Sequence, residues 1–306
     1  MLLPPRLRIT FVAREELQHP SDTRALDTLK KMRGLDALVR KVIEWGLEGK
    51  IRRELLANCV RVGPTQCPSL YKLYSECAEV LGVREPPELF VECNPHPASY
   101  TVGVNRAMIV VSTGLVEVMD DDELCFVLGH ELGHHICQHT LYLTMARYIS
   151  QLLALVGKLT LGVGEVVGKG LEAALLSWSR ISDFSADRAG LLACQDLDAA
   201  IRALVKLSVP ARRLWNEINV EELLRQAEEL EAEPAREEEP EGRLARLKAM
   251  VARVGDRLRG LTIGRRTQPW PVLRIKELVG WARSDIYKAI LARGVPLGGQ
   301  GQAPQA

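Results

Sequence analysis

The sequence predicts a mostly helical α+β protein, and two features of its 306 residues support this interpretation. Leu, Val and Ala dominate the apolar residues, which make up 47% of the chain, whereas aromatic residues contribute only 5%. This composition favours helices. Segments with the pattern of strands are confined to residues 88–112, so we expect a small sheet. The length suffices for a hydrophobic core in one large domain, with or without appendages.

The N-terminal part of the chain predicts helices. Apolar residues recur at helical spacing between positions 26 and 39, and we expect helices within residues 20–60. The segment at 61–68 contains a glycine and two prolines and predicts a turn. Leu70–Leu81 then has the pattern of an amphipathic helix.

Three short strands are expected after the helix-breaking pair Pro86-Pro87. The turns between them are predicted at Asn94-Pro95 and Asn105-Arg106. The predicted strands span 88–92, 98–104 and 107–112.

A long helix is predicted from about Asp121 to about Tyr142. Asp120 is a suitable N-cap, and Glu123 three residues later completes a capping-box pattern. A second long helix is predicted at Trp178–Gln195.

Charge and cysteine content restrict the class of protein. The net charge of +1 argues against a nucleic-acid partner. The first 20 residues contain early prolines and several arginines but no apolar stretch, so they do not resemble a signal peptide. Seven cysteines without a CxxC pair indicate buried thiols in a reducing compartment. These features predict a cytoplasmic protein.

The most apolar region lies at 148–178, but four charged residues interrupt it: Lys158, Glu165, Lys169 and Glu172. It therefore lacks the uninterrupted apolar run of a transmembrane helix. A buried pair of helices is the favoured interpretation, and association with a membrane surface is the alternative.

Composition divides the chain into five segments. Residues 221–242 contain ten Glu and two Pro, which is typical of a solvated linker, although a lid over a site is an alternative. The predicted segments are an N-terminal helical segment at 1–64, a core domain at 65–220, the acidic linker at 221–242, a C-terminal helical part at 243–294 that completes the core domain, and a flexible tail at 295–306.

The sequence His130-Glu131-Leu132-Gly133-His134 has the spacing of a zinc site on a helix. Residues four apart share one helix face, so both imidazoles can bind one zinc ion. Glu131 lies beside that face, where a carboxylate can take a proton from a zinc-activated water. We therefore predict one zinc ion per chain, hydrolysis of a peptide bond, and Glu131 as the general base.

Two further histidines and two aspartates lie near the motif or in the second predicted long helix. His135 and His139 fall off the metal-binding face, and we expect both on the helix surface, with support of the metal ligands as the alternative. Asp183 and Asp187 share a helix face. One of them can bind zinc while the other accepts a hydrogen bond from a ligand histidine. An ordinary surface pairing between aspartate and arginine is the alternative.

Four segments together resemble the HtpX/CAAX-prenyl-endopeptidase family of zinc metallopeptidases (metallopeptidase family 48), especially its soluble bacterial members. The resemblance covers roughly residues 65–285. It depends on the segments VLGHELGHHICQH at 127–139, SDFSADRAGLL at 182–192, TQPWPVLRIKEL at 267–278 and NPHPASYTVG at 94–103.

The resemblance implies a zincin-like fold in which the long HExxH helix packs beside a small three-stranded sheet. It favours Asp183 as the third zinc ligand and Asp187 as its neighbour, although the family has Glu at the position of Asp183. The strand containing Tyr100 is expected to pair with an extended substrate, and Gln268 or Arg274 to contact the substrate or its oxyanion.

Three positions depart from the family pattern, namely Ala98, Asp183 and Gln268. The predicted function is a zinc metalloendopeptidase with a polypeptide substrate, unfolded or damaged proteins being the expected class. The alternative is a zinc-binding relative with weak or no activity that binds a peptide or a partner protein.

Overall fold

The computed structural model describes residues 6–9, 11–32, 34–157, 164–209, 211–232 and 271–297. Gln268, residues 233–242 of the acidic linker, the following segment to 270 and residues 298–306 of the tail lie outside the described residues. The division of the chain into five segments stays a prediction.

The described chain is mostly helical, as predicted. Its α-helices are α1 Arg14–Leu17, α2 Pro20–Lys30, α3 Leu35–Glu44, α4 Leu47–Asn58, α5 Pro68–Val80, α6 Thr113–Val118, α7 Asp121–Ile136, α8 Thr140–Arg147, α9 Ile149–Gly157, α10 Gly164–Cys194, α11 Leu197–Ser208, α12 Val220–Ala232, α13 Pro271–Ala282 and α14 Asp285–Ala292, with a 3₁₀ helix at Arg212–Glu217. Its strands are β1 Leu7–Arg8, β2 Cys59–Arg61, β3 Glu88–Glu92, β4 Ser99–Val102, β5 Met108–Ser112 and β6 Val295–Pro296.

The main sheet has four strands in the order β2-β3-β5-β4. β3 and β5 are parallel, whereas β2 and β4 pair antiparallel with β3 and β5 respectively. The three predicted strands are present, but the prediction of a three-stranded sheet is wrong because β2 was missed. Cys59–Arg61 follows α4 directly and is too short to show an alternating pattern, so only its pairing with β3 reveals it.

The edge position of β4 leaves one side of its backbone unpaired with the sheet. Ala98 C=O accepts a hydrogen bond from the N–H of Ser112, at 2.9 Å, on the β5 side. Because the direction of backbone groups alternates along a strand, those of Ser99 and Thr101 face the free edge.

Helix α7 begins where the sequence predicts and ends earlier. Asp120 and Glu123 form the predicted capping box, with each side chain accepting the other residue's N–H. The helix ends at Ile136, because Gln138 adopts a left-handed conformation with φ of 59°. The N–H of Gln138 and the N–H of His139 then donate to the carbonyls of His135 and His134, which is a Schellman motif. A separate helix, α8, begins at Thr140.

Helices α7 and α10 cross closely in the main core. The N-terminal helices α2 and α3 form a second core cluster with α8, α9 and α10. Apolar residues of the 148–178 region are buried in that cluster: Ile149, Leu152, Leu171, Leu175 and Trp178. The predicted flexible tail starts with β6, which pairs with β1.

Candidate metal centre

Two histidines of α7 and one aspartate of α10 form the centre of the site. Ligand atoms of His130, His134 and Asp183 all lie within 4.8 Å of one another. Asp183 Oδ1 is 3.4 Å from His134 Nε2 and 4.0 Å from His130 Nε2. Two ligands of one tetrahedral zinc ion lie about 3.3 Å apart, so this donor set fits that ion with small adjustments.

Asp187 fixes the orientation of His130. Asp187 Oδ1 lies 2.8 Å from His130 Nδ1, which leaves Nε2 directed at Asp183. Burial opposes ionisation of Asp187, but the adjacent guanidinium of Arg274 outweighs it and lowers the pKa of that carboxyl to about 2. Burial also opposes protonation of His130, yet the carboxylate of Asp187 raises the pKa of its imidazole overall.

Arg274 of α13 lies behind His130. Its Nε donates to Asp187 Oδ2 at 2.7 Å, and its Nη2 donates to Oδ1. The side chain is buried, and its Nη1 is 3.9 Å from Asp183 Oδ2. These contacts place Arg274 against the carboxylates of the site, and its predicted contact with the substrate or oxyanion stays a prediction.

Two hydroxyl groups of the edge strand β4 donate hydrogen bonds to the carboxylate of Glu131. Ser99 Oγ donates to one carboxylate oxygen at 2.7 Å, and Thr101 Oγ1 donates to the other at 2.6 Å. Both donors are on one face of β4 because side chains two apart in a strand point the same way. Ser99 and Thr101 are not among the predicted site residues, although side-chain alternation along the strand was a signal that places both on one face.

Tyr100 points to the opposite face of β4. Its hydroxyl donates to Glu92 Oε2 at 2.9 Å, and the guanidinium carbon of Arg147 lies 3.4 Å from the ring centroid. Its contacts are thus separate from those of Glu131, and its predicted role towards the substrate stays a prediction.

His139 is buried, and the prediction of a surface position for it is wrong. Its side chain is 0% exposed, with Nδ1 lying 3.1 Å from Nδ1 of His134. A helix that continues to about Tyr142, as predicted, would place His139 on its surface, whereas the Schellman motif turns His139 back beneath His134. His135 is half-buried.

Comparison with known proteins identifies the family. The sequence profile of Peptidase family M48 matches residues 64–282. The chain belongs to this family. The predicted resemblance to metallopeptidase family 48 is therefore confirmed.

Two relatives show how far the similarity extends. Plastoglobule-localized metallopeptidase 48, chloroplastic, of Arabidopsis thaliana is 30% identical over 292 residues, which cover 94% of this chain and 78% of that protein. A protease HtpX homolog of Moorella thermoacetica is 28% identical over 177 residues, covering 50% of this chain and 59% of that protein. No solved structure matches this chain.

The prediction of a cytoplasmic location is contradicted by these comparisons. The M48 relative that matches 94% of the chain is a plant protein named as plastoglobule-localized and chloroplastic. The prediction depends on the composition of the first 20 residues, on the cysteine content and on the likeness to bacterial members. Among the described helices, none is long and apolar enough to cross a membrane.

Proposed function

We propose that this M48 peptidase is a zinc-dependent metalloendopeptidase that cleaves unfolded or damaged proteins. The observation that carries the proposal is the convergence of His130, His134 and Asp183 in one group beside Glu131. These three residues would hold the zinc ion. When bound there, zinc supplies Lewis-acid chemistry, which makes water more acidic and polarises a carbonyl group.

In this proposal the protein residues position the substrate and move the proton. Glu131 accepts a proton from the attacking water and then donates it to the leaving amine. Ser99 and Thr101 hold both oxygens of its carboxylate while leaving further lone pairs free for that proton. Asp187 keeps Nδ1 of His130 engaged, so that Nε2 faces the metal.

The free edge of β4 favours the proposal that the substrate binds in an extended conformation. The outward backbone groups of Ser99 and Thr101 offer hydrogen bonds to a peptide added as a further strand. Unfolded proteins present such extended backbone, whereas native globular domains mostly keep theirs in their own hydrogen bonds. This favours unfolded or damaged chains as substrates.

Glu131→Gln is the decisive test. Wild-type protein and the variant are compared for zinc content and for cleavage of a reduced, alkylated protein and its native form. We expect one zinc ion per chain in both, cleavage of the unfolded form by wild type, and a loss of about 100-fold or more in the variant. Equal cleavage by the variant would refute the role of Glu131. If both proteins hold zinc and neither cleaves, the binding-only alternative takes the place of the proposed activity.

A further inference from the structure

A buried chain of polar side chains connects His134 to the N-terminal helix α2. Nδ1 of His134 lies 3.1 Å from Nδ1 of His139, and Nε2 of His139 lies 3.0 Å from Oδ2 of Asp22. The last contact has the separation of a hydrogen bond, although its angle is not favourable. His134 is 4% exposed, and the other two residues are 0% exposed.

Asp22 is fixed by helix α10. Trp178 Nε1 donates to Oδ1 at 3.0 Å, and Ser185 Oγ donates to Oδ2 at 2.7 Å. A carboxylate without hydrogen-bond donors is costly in a protein interior, so these contacts explain how α2 keeps an aspartate there. The oxygen that accepts from Ser185 is also the one that lies 3.0 Å from His139 Nε2.

Hydrogen-bond chemistry determines which of these three polar side chains donates and which accepts. If His134 binds a metal through Nε2, its Nδ1 carries the proton and donates it to a neighbour. Nδ1 of His139 must then be the acceptor, so the proton of this neutral ring is on Nε2. That nitrogen lies 3.0 Å from Oδ2 of Asp22, and an ionised carboxylate can only accept. Each residue therefore determines the tautomer of the one before it.

We propose that Asp22 and His139 are positioning residues of the metal centre, which orient His134 and fix its tautomer. His130 has the same support directly from Asp187, whereas His134 receives it through an intervening histidine. Residues that support metal ligands in this way typically contribute about 10–100-fold to metal affinity. This inference rests on the proposed function, because it requires His134 to be a metal ligand.

Asp22 would give the N-terminal segment a role in the metal centre. Asp22 lies outside residues 64–282, which match the family profile. His19, the N-cap of this helix, contacts the same serine of α10, because its backbone N–H donates to Ser185 Oγ at 2.9 Å. Helix α2 thus completes a site whose other described residues belong to the matched region.

A purely structural role is the competing explanation, in which Asp22 and His139 only attach α2 to the rest of the protein. The variants that separate the two are His139→Phe, which removes the acceptor, and His139→Gln, which retains an amide acceptor and donor. Leu29→Ala is the matched control, because Leu29 packs α2 in the core and has no part in the polar chain. Asp22→Asn tests the carboxylate at the α2 end of the row of polar side chains.

Zinc affinity of the full-length protein is measured by competition with a chelator. The free energy of unfolding is measured for the metal-free form of each variant. Visible absorption of the cobalt-substituted protein reports the ligand geometry. We expect His139→Phe to weaken zinc binding about 10–100-fold and to shift the cobalt bands. His139→Gln should restore part of the affinity, and Asp22→Asn should weaken it. Leu29→Ala should lower stability and leave affinity and spectrum unchanged.

His134→Ala distinguishes a failure of the proposed metal centre from a failure of the proposed positioning role. If it leaves zinc binding intact, the metal centre itself is wrong. If it abolishes zinc binding while His139→Phe retains wild-type affinity and spectrum, the centre stands and the positioning role is overturned.

Discussion

Gly133 of α7 lies so close to Ala189 of α10 that a Cβ atom added to the glycine would be 2.6 Å from the alanine Cβ. Real Cβ atoms do not approach this closely, so the helix crossing depends on the missing side chain. Gly129 makes a similar approach to Ala193 one turn earlier. The close crossing brings Asp183, whose side chain is shorter than the glutamate of the family pattern, to 3.4 Å from His134 Nε2.

Gly133→Ala should separate the helices and weaken the site. Overpacking of this kind costs about 1–3 kcal/mol, and we expect lower stability together with lower zinc affinity. The control is Gly280→Ala in α13, where an added Cβ meets nothing within 4 Å. That change should stabilise the protein by roughly 0.5–1 kcal/mol and leave zinc affinity unchanged. Urea unfolding and chelator competition measure both effects, and wild-type values for Gly133→Ala would contradict the packing argument.

The parts of the site that follow from local rules were predictable. The capping box at Asp120 and the helical spacing of His130, His134, Asp183 and Asp187 need only neighbouring residues. Contacts made by tertiary packing were not predictable. Their partners are remote in sequence, as with the bond of Thr101 to Glu131 and the contact of Asp22 with His139.

The end of α7 shows why the position of His139 was missed. A left-handed residue usually ends a helix as glycine, and here Gln138 takes that conformation. The sequence therefore lacks the usual signal for a helix end, and continued helical spacing predicted the wrong direction for His139.

Asp183 should be essential for tight zinc binding. Asp183→Ala removes one of the three proposed zinc donors, and we expect a loss of affinity greater than the approximately 10–100-fold loss typical of supporting residues. Asp183→Glu restores a carboxylate and the residue of the family pattern, so it should bind zinc more tightly than the alanine variant. Isothermal titration with zinc compares the variants. Wild-type affinity in Asp183→Ala would exclude this residue as the third ligand.

Ser99 and Thr101 should affect catalysis without affecting zinc. Thr101→Val and Ser99→Ala each remove a hydrogen bond to the carboxylate of Glu131, and such bonds contribute about 1.5–3 kcal/mol. We expect kcat to fall about 10-fold in each variant, while zinc content stays at the wild-type level. Ser75→Ala is the control, because it removes a hydroxyl of α5 that, among the described residues, donates only to the carbonyl of Tyr71 in the same helix. Unchanged kcat in both variants would show that Glu131 does not depend on these contacts.

Glu48 should make the stability of the β4–β5 hairpin depend on pH. Its Oε2 accepts the backbone N–H groups of Val104, Asn105 and Arg106 at distances between 2.5 and 2.9 Å. Burial opposes ionisation, but these three hydrogen bonds outweigh it and lower the pKa of the Glu48 carboxyl. A lowered native pKa stabilises the fold above the unfolded value of about 4.3, and this stability is lost as pH falls through the native value.

The free energy of urea unfolding of metal-free protein is therefore measured between pH 6 and about pH 3, the range that brackets the unfolded carboxyl pKa. Glu48→Gln cannot titrate at this position, so wild type should lose more stability over this range than the variant does. Because Glu48 is partly exposed to solvent, we expect a difference on the order of 1 kcal/mol. Glu15→Gln, which removes an exposed carboxyl group from α1, controls for the lost charge. Parallel curves for wild type and Glu48→Gln would mean that the ionised carboxylate does not hold the hairpin that carries β4.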